Sequence, residues 1–459
     1  TESHEFKQTG LTVSLGGGVI DAVNKVVAPL QRAGEVSDER LKAVYAAKAA
    51  QELKGAGQAV EKAVNGDTDL SVSISFGTSQ SSSVTHSQAD VSKGSGLVAG
   101  GDVNITAREQ DITIKGSNIQ GENINLTAKD NVNIIAGENT INTDNKSDSK
   151  SASVGVNIGI GKNNAGVGVS LSGSIAKENS QEQIATYTPS TVNANKELNI
   201  KTGQDTNIIG SQVSGDKVTA DIGGNLNIES LQETNRYQSD SKYAAGSVTI
   251  GNGAGIQGSA GIGNMDSNYA SVNDQAGIYA GKEGFDITVG GNTDLKGAVI
   301  DSNATTDKNQ LDTGTISFSD IENKAEYSAG NVGIGIDTRP VKDSKNPNSG
   351  GIDKKDAGVT PSISGTDGKA DSTTKSAVAE GSIEIKDKDQ QKQDVDDLSR
   401  DPKNANNKLD KIFDKDKILT QQELAKVFGE VAFTFVGEFN SKQGWTSDDP
   451  RSIAVHAVI

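Results

Sequence analysis

Across residues 101–137, apolar and polar positions alternate in short runs: Asp102-Val-Asn-Ile-Thr106, Asp111-Ile-Thr-Ile114, Glu122-Asn-Ile-Asn-Leu-Thr127 and Asn131-Val-Asn-Ile-Ile135. In an extended strand this alternation sends Val, Ile and Leu to one side and Asn, Asp and Thr to the other. The runs recur in pairs. Ile105 and Leu126 are 21 residues apart, while Ile112 to Val132 and Ile114 to Ile134 are each 20 apart, a spacing that marks a solenoid. One coil cannot bury its own apolar side. Coils stacked about 4.8 Å apart form a continuous dry column and satisfy the backbone through parallel ladders. The pattern returns in Glu197-Leu-Asn-Ile-Lys201, Thr206-Asn-Ile-Ile209 and Asn225-Leu-Asn-Ile228, which adds Leu226 and Ile228 to the expected interior, and again over residues 285–300. Gly116-Ser-Asn-Ile119 and Gly210-Ser-Gln-Val213 are nearly the same corner. The expectation is a mainly β chain built on a right-handed parallel β-helix of about 20 residues per coil.

A longer period overlies the short one. Glycine-rich alternating strands begin near Leu70, Ser153, Gly246 and Gly330. The clearest carries Val154, Val156, Ile158 and Ile160, turns at Asn163-Asn164, and returns through Val167, Val169 and Leu171. Such a hairpin has one apolar face and one of small polar residues, as strands of an outer-membrane β-barrel do. The pattern permits membrane insertion. It equally permits hairpins that project from the β-helix and pack against it or one another.

Two stretches break the β pattern. Residues 1–69 read as an opening strand, Leu11-Thr-Val-Ser-Leu15, followed by a helical hairpin in which Ser37 caps the second helix. Leu41, Val44, Tyr45, Ala49 and Leu53 then share one face. Residues 70–336 hold the coils and hairpins, and residues 337–394, rich in Lys, Asp, Ser, Gly and Pro, read as a flexible linker. Residues 395–459 read as the start of a helical region. Helix is expected between Leu398 and Phe413, with a start at Asp401-Pro402, and a capping box at Thr420-Gln-Gln-Glu423 leads into an apolar face of Leu424, Val427, Phe428, Val431 and Phe435.

Composition narrows the function. The chain has 459 residues but is only 33% hydrophobic and 4% aromatic, with 53 glycines, which suits stacked coils rather than one bulky core. A net charge of −17 argues against a nucleic-acid partner, since phosphate contacts need a basic face. With no cysteine, disulfides, thiol catalysis and cysteine-ligated metals are excluded. Residues 1–10 show neither the basic nor the apolar region of a signal peptide, so an exported chain is expected to be an internal piece of a longer one.

No catalytic constellation emerges. His4, His86 and His456 are far apart in sequence, and Asp414-Lys-Asp416 with Glu423 fails as a calcium loop because the glutamate is misplaced and the mid-loop glycine is missing. Gly16-Gly-Gly18 lacks the Lys-Ser/Thr pair of a phosphate loop. No cofactor or metal is expected. The rival from another class, a polysaccharide lyase or hydrolase on a β-helix, needs carboxylates and basic residues clustered across several coils, and none stands out.

Several longer segments resemble the second haemagglutinin-repeat region of contact-dependent growth-inhibition effectors, relatives of filamentous haemagglutinin exported by two-partner secretion. They are Gly210-Ser-Gln-Val-Ser-Gly-Asp-Lys-Val-Thr-Ala220, Asn225-Leu-Asn-Ile-Glu-Ser-Leu-Gln232, Tyr269-Ala-Ser-Val-Asn-Asp-Gln-Ala-Gly-Ile-Tyr-Ala-Gly281, Gly291-Asn-Thr-Asp-Leu-Lys-Gly297 and Thr313-Gly-Thr-Ile-Ser-Phe-Ser-Asp320. Leu409-Asp-Lys-Ile-Phe-Asp414 and Phe428-Gly-Glu-Val-Ala432 resemble the helical region that precedes the toxin. The resemblance implies a secreted, surface-exposed, non-catalytic segment whose partners are an outer-membrane transporter, a receptor or the outer membrane of a target cell, and a downstream toxin in the same polypeptide. It implies a role in passing that toxin inward. The alternative is a structural filament or adhesin segment with no delivery role. The boundary motif Val-Glu-Asn-Asn and any toxin are missing, so killing is not assigned to these residues.

Overall fold

The computed structural model describes residues 1–64, 70–160, 165–252, 254–338, 358–444 and 449–451. They are mainly β: a 16-stranded parallel sheet curled into β-helix-like coils and an 8-stranded antiparallel sheet, with three α-helices.

The coils carry three interior columns. One runs Leu97, Ile119, Val192, Val213, Ile278, Ile300, Val378. The second runs Ile105, Leu126, Ile200, Ala220, Ile287, Leu311, Ile383. The third runs Ile114, Ile134, Ile208, Ile228, Leu295, Phe318. Leu126, Val132, Ile134, Leu226 and Ile228 are fully buried, and Ile112 and Ile114 nearly so. Ile105 packs against the same core but is only half-buried, because its strand has a partner on one side alone. Outside, asparagines stack into ladders: Asn125 donates to Asn104 at 2.7 Å, and Asn199 donates to Asn125 at 2.9 Å. Asn125 thus both donates and accepts along the stack, so the polar face adds hydrogen bonds in the direction in which the apolar face adds burial.

Between alternate coils the corner is a single glycine in the left-handed region, Gly116, Gly210 or Gly297, with φ of 55°, 57° and 54°. At the other corners a long hairpin replaces it. The hairpin strands, in chain order, are β1 (Glu2–Gly17), β2 (Leu70–Asp90), β3 (Gly137–Ile160), β4 (Gly166–Thr188), β5 (Glu233–Gly251), β6 (Gly255–Ser271), β7 (Ile321–Asp337) and β8 (Gly358–Thr374). They pair in that order as one antiparallel sheet. The reason is dimensional. Two coils rise about 9.6 Å, and a two-stranded hairpin is about 9.6 Å wide, so one hairpin per two coils makes successive hairpins neighbours at strand spacing.

The last coil is closed by side chains. Gln391 accepts from the Ile316 N–H at 2.8 Å and donates to its carbonyl at 2.8 Å, and Gln393 does the same for Phe318 at 2.9 Å and 2.9 Å. These amides stand in for the next strand and satisfy an edge that would otherwise be bare.

Several expectations are corrected. The flexible linker over 337–394 does not hold for its described part: β8 pairs along β7, residues Ala377–Val378 and Ser382–Ile385 join the coils, and the stretch beyond supplies the glutamine caps. Residues 339–357 of that stretch lie outside the described residues. Thr, Ser and Gly strands carry no apolar period, and Pro361 is tolerated because β8 is an edge. Between Leu398 and Phe413 there is no α-helix but a short 3-10 turn, Pro402–Asn404, with Asp401 as its cap. Helix α3 (counting α1, Gly18–Glu35, and α2, Glu39–Val64, before it) runs Lys415–Gln443, so Thr420 is interior and Asp414 caps it through the Lys417 N–H at 3.0 Å. Likewise Asp38, not Ser37, caps α2, accepting from the N–H groups of Arg40 at 2.9 Å and Leu41 at 3.1 Å. Leu41 and Ala49 are buried as expected, whereas Leu53 and Phe428 face solvent.

Candidate functional site

Residues directly opposite in an antiparallel sheet share a face, so the register sorts the hairpin side chains. One row reads Val13, Ile74, Val156, Val169, Ile250 and the next reads Leu11, Phe76, Val154, Leu171, Val248, Ile256. A third, nearer the tips, is Leu15, Val72, Ile158, Val167. Toward the other edge the band steps inward with the hairpin tips, through Ile262, Val332 and Ile363. The seven hairpin positions singled out from the sequence therefore lie on one face, Ile160 among them opposite Leu70. They are exposed, from 38% for Val156 to 60% for Ile160. A contiguous aliphatic band of this extent is more than a soluble surface ordinarily carries.

The opposite face is small and polar. Gly10, Gly77, Ser153, Ser172 and Ser247 form one row. Ser153 and Ser172 share a hydrogen bond of 2.7 Å, as do Ser151 and Ser174. Toward the coils this face is covered by the C-terminal segment. Ile418 packs with Tyr237, Met265 and Ala329, the Phe413 and Tyr237 ring centroids are 5.2 Å apart, and the Tyr269 hydroxyl donates to the Leu409 carbonyl at 2.9 Å.

From there α3 reaches the helices inserted after β1. Arg32 donates to both Glu423 oxygens at 2.9 Å each, and the Tyr45 hydroxyl donates to Glu423 at 2.6 Å. The Arg32 hydrogen bond holds the Glu423 carboxyl below its ordinary range, while burial, aided by Glu423, pushes the Tyr45 phenol up to about 12. The sequence reading missed this fork. It joins residues 391 positions apart, and no local pattern signals such a pair. It also missed that the other hairpins share the aliphatic face, although the same alternation marks Val248, Ile250 and Ile334.

Catalytic geometry does not assemble among the described residues. His4 sits opposite Ser83, three residues from His86, so the two rings project from opposite faces, and His456 lies outside the described residues. No group of three acidic or histidine side chains is placed to hold a metal among the described residues. No described helix is long and apolar enough to cross a membrane.

Residues 74–245 match the family described as Hemagglutinin repeat. A protein named Toxin CdiA from Escherichia coli is 39% identical over 94% of this chain and 14% of its own length. The tRNA nuclease CdiA of Yersinia mollaretii is 35% identical over 95% of this chain and 15% of its own length, and the Deoxyribonuclease CdiA of Dickeya dadantii is 37% identical over 93% and 13%. The chain thus spans about one seventh of the relatives it matches, and the nuclease names describe those whole proteins. No solved structure matches. Identity of this order along nearly the whole chain, on a repeat that the coils and hairpins embody, makes it a member of the CdiA family of contact-dependent growth-inhibition toxins, corresponding to the haemagglutinin-repeat region.

Proposed function

We propose that this segment is a non-catalytic, surface-exposed part of a secreted effector, and that its hairpin sheet engages the outer membrane of a target cell while a C-terminal toxin of the same polypeptide is passed inward. The supporting observation is the two-sided sheet, aliphatic on one face and Ser/Gly-rich on the other. From Val154 to Ile160 the band is about 20 Å tall, close to the roughly 25 Å apolar belt of outer-membrane barrels. In this reading the coils are right-handed and act as a rigid rack that spaces the hairpins. Residues 70–336, with the last coil added from the expected linker, form the working unit, and the described parts of residues 1–69 and 395–459 dock on it. Export through an outer-membrane transporter and recognition of a receptor belong to the whole effector.

The test is binding to vesicles of phosphatidylethanolamine and phosphatidylglycerol. The chain is expected to float with the vesicles and to shield β3 and β4 from protease. The V154N/V156N/I158N/I160N variant is expected to stay in solution with its coils intact. Equal flotation by that variant would defeat the proposal.

A second reading, a filament or adhesin segment without delivery, is favoured by the first coil, whose Leu97 and Val98 are 45% and 75% exposed along an unpaired edge. Vesicle-independent end-to-end assembly would support it.

A further inference from the structure

Below the aliphatic band the same face of the sheet carries lysines. Lys7, Lys146, Lys150, Lys177 and Lys242 all project on the aliphatic side, because each lies an even number of residues from Val13, Val154, Leu171 or Val248 on its own strand. They border the band directly: Lys150 is opposite Ile175, and Lys242 is opposite Ile262. Glu5, Asp148 and Asp240 stand among them, so five lysines against three carboxylates leave this tier positive on a chain of net charge −17. Lys177 pairs with Asp148 at 3.2 Å, and the other four lysines have no ion-pair partner among the described residues. A lysine so placed lays its methylenes along the aliphatics and holds its ammonium at the apolar border, where an anion can reach it.

Nearer the coils the face changes again. Gln181, Gln238 and Asp266 form one row and Gln183, Arg236 and Asn268 the next, and together they line an open hollow of about 600 Å³. Amides both donate and accept, the carboxylate accepts and the guanidinium donates, a set that suits the hydroxyls of a sugar rather than an apolar or purely anionic guest. On the membrane reading proposed above, we infer that this face takes a phosphorylated glycolipid, with acyl chains on the band, phosphates on the lysines and sugars in the hollow. The order of the tiers carries the inference. From hairpin tips to coils, at about 7 Å per row, the face offers partners for hydrocarbon, then anion, then hydroxyl, the order in which such a lipid presents them. A phospholipid with a small head group would use the first two tiers and leave the third to water. The opposite face has no such succession, since it is serine-rich and its base is occupied by the C-terminal segment.

Flotation of the full chain is compared on two sets of vesicles at equal lipid phosphate, phosphatidylethanolamine with lipopolysaccharide of phosphorylated core and phosphatidylethanolamine with phosphatidylglycerol. Binding is expected to be on the order of tenfold tighter to the first, as two or more added hydrogen bonds would give. K150Q/K242Q is expected to weaken binding to both by about tenfold or more. Q181A/Q238A is expected to lose only the preference, binding both sets as the unaltered chain binds the second, with circular dichroism confirming folded coils for both variants. Equal binding of the unaltered chain to the two sets, or a preference that survives Q181A/Q238A, overturns the sugar assignment. Undiminished binding by K150Q/K242Q overturns the phosphate assignment. Either result leaves membrane engagement standing, whereas an unaltered chain that floats with neither set defeats the glycolipid and the membrane reading together.

Discussion

Leu126 and Ile200 lie side by side in register on adjacent parallel strands, although 74 residues separate them. Their neighbours in the same column, Ile105 and Ala220, are 21 and 20 residues away. The long gap is filled by β3 and β4, which leave after Ile135 and return before Thr191 and so take the place that Gly116 or Gly210 holds at the intervening corners. The coil treats a hairpin and a glycine as equivalent corners.

If so, replacing residues 136–189 by a single glycine should leave the coil stack folded. Ile134 and Val192 would then bracket an Ile-Gly-Ser corner like that at Gly210. The antiparallel sheet, in contrast, would lose its third and fourth strands, the neighbours of β2 and β5. Limited proteolysis should find the coils resistant and residues 70–90 and 233–251 newly cut. Collapse of the coils would show that the hairpins hold the stack rather than decorate it.

Depth in the stack should set the cost of a cavity. Leu126 is fully buried between Ile105 and Ile200, so Leu126→Ala should destabilise by about 2–5 kcal/mol. Ile105 has only one coil beside it and should cost clearly less on truncation to Ala. Hydrogen exchange resolves the two, since opening in a solenoid is local and a single unfolding midpoint would blur them. Equal losses of protection would contradict the order of the coils.

Which parts of this architecture could be read from residues alone follows from where apolar periodicity reports burial. Ile112, Val132 and Ile134 announce the coil because their alternation matches a one-sided interior. The tips of the hairpins announce themselves for the same reason, through Val154 to Ile160. The lower halves do not. Residues 138–152 are Thr, Asn, Asp, Lys and Ser with few apolar positions, yet they are strand because β2 and β4 flank them. Strand β8 was hidden the same way. At α3 a plausible capping box at Thr420 was outcompeted by Asp414, one turn and more upstream, where Phe413 is already anchored against Tyr237. Long-range pairs such as Arg32 with Glu423 leave no local trace.

The glycine corner gives a stricter check on backbone geometry. At Gly210, φ is 57°, and an added Cβ would meet Leu231 Cδ1 at 2.6 Å and Ala136 Cβ at 3.0 Å. Gly210→Ala should cost about 1–2 kcal/mol from the left-handed backbone, before any shift of Leu231. Gly57, in α2 with nothing within 4 Å of the added atom, should instead gain stability on substitution by alanine. Urea unfolding of the two variants should move in opposite directions, and parallel shifts would refute the assigned conformation at Gly210.

The fork between Arg32 and Glu423 should make docking of the C-terminal helix sensitive to acid. The Glu423 carboxyl is lowered from 4.5, chiefly by the hydrogen bond to Arg32, so the docked state binds its proton less readily than the released state. A lowered carboxylate contributes stability that is fully present above its unfolded value and is lost as pH falls through the folded value. Contact between α2 and α3 should thus be constant near neutrality and weaken below about pH 4.5. Asp38, held at about 2 by its hydrogen bonds with Arg40 and Leu41, stays ionised through that window, so the α2 cap does not confound the reading. Hydrogen exchange of α2 and α3 at neutral pH and at about pH 3.5, each corrected for the intrinsic exchange rate at that pH, should show lower protection in acid for the unaltered chain. Glu423→Gln should exchange faster at neutral pH and lose the acid step. An acid step of the same size in that variant would place the sensitive group elsewhere and remove the fork as the clasp between the ends of the chain.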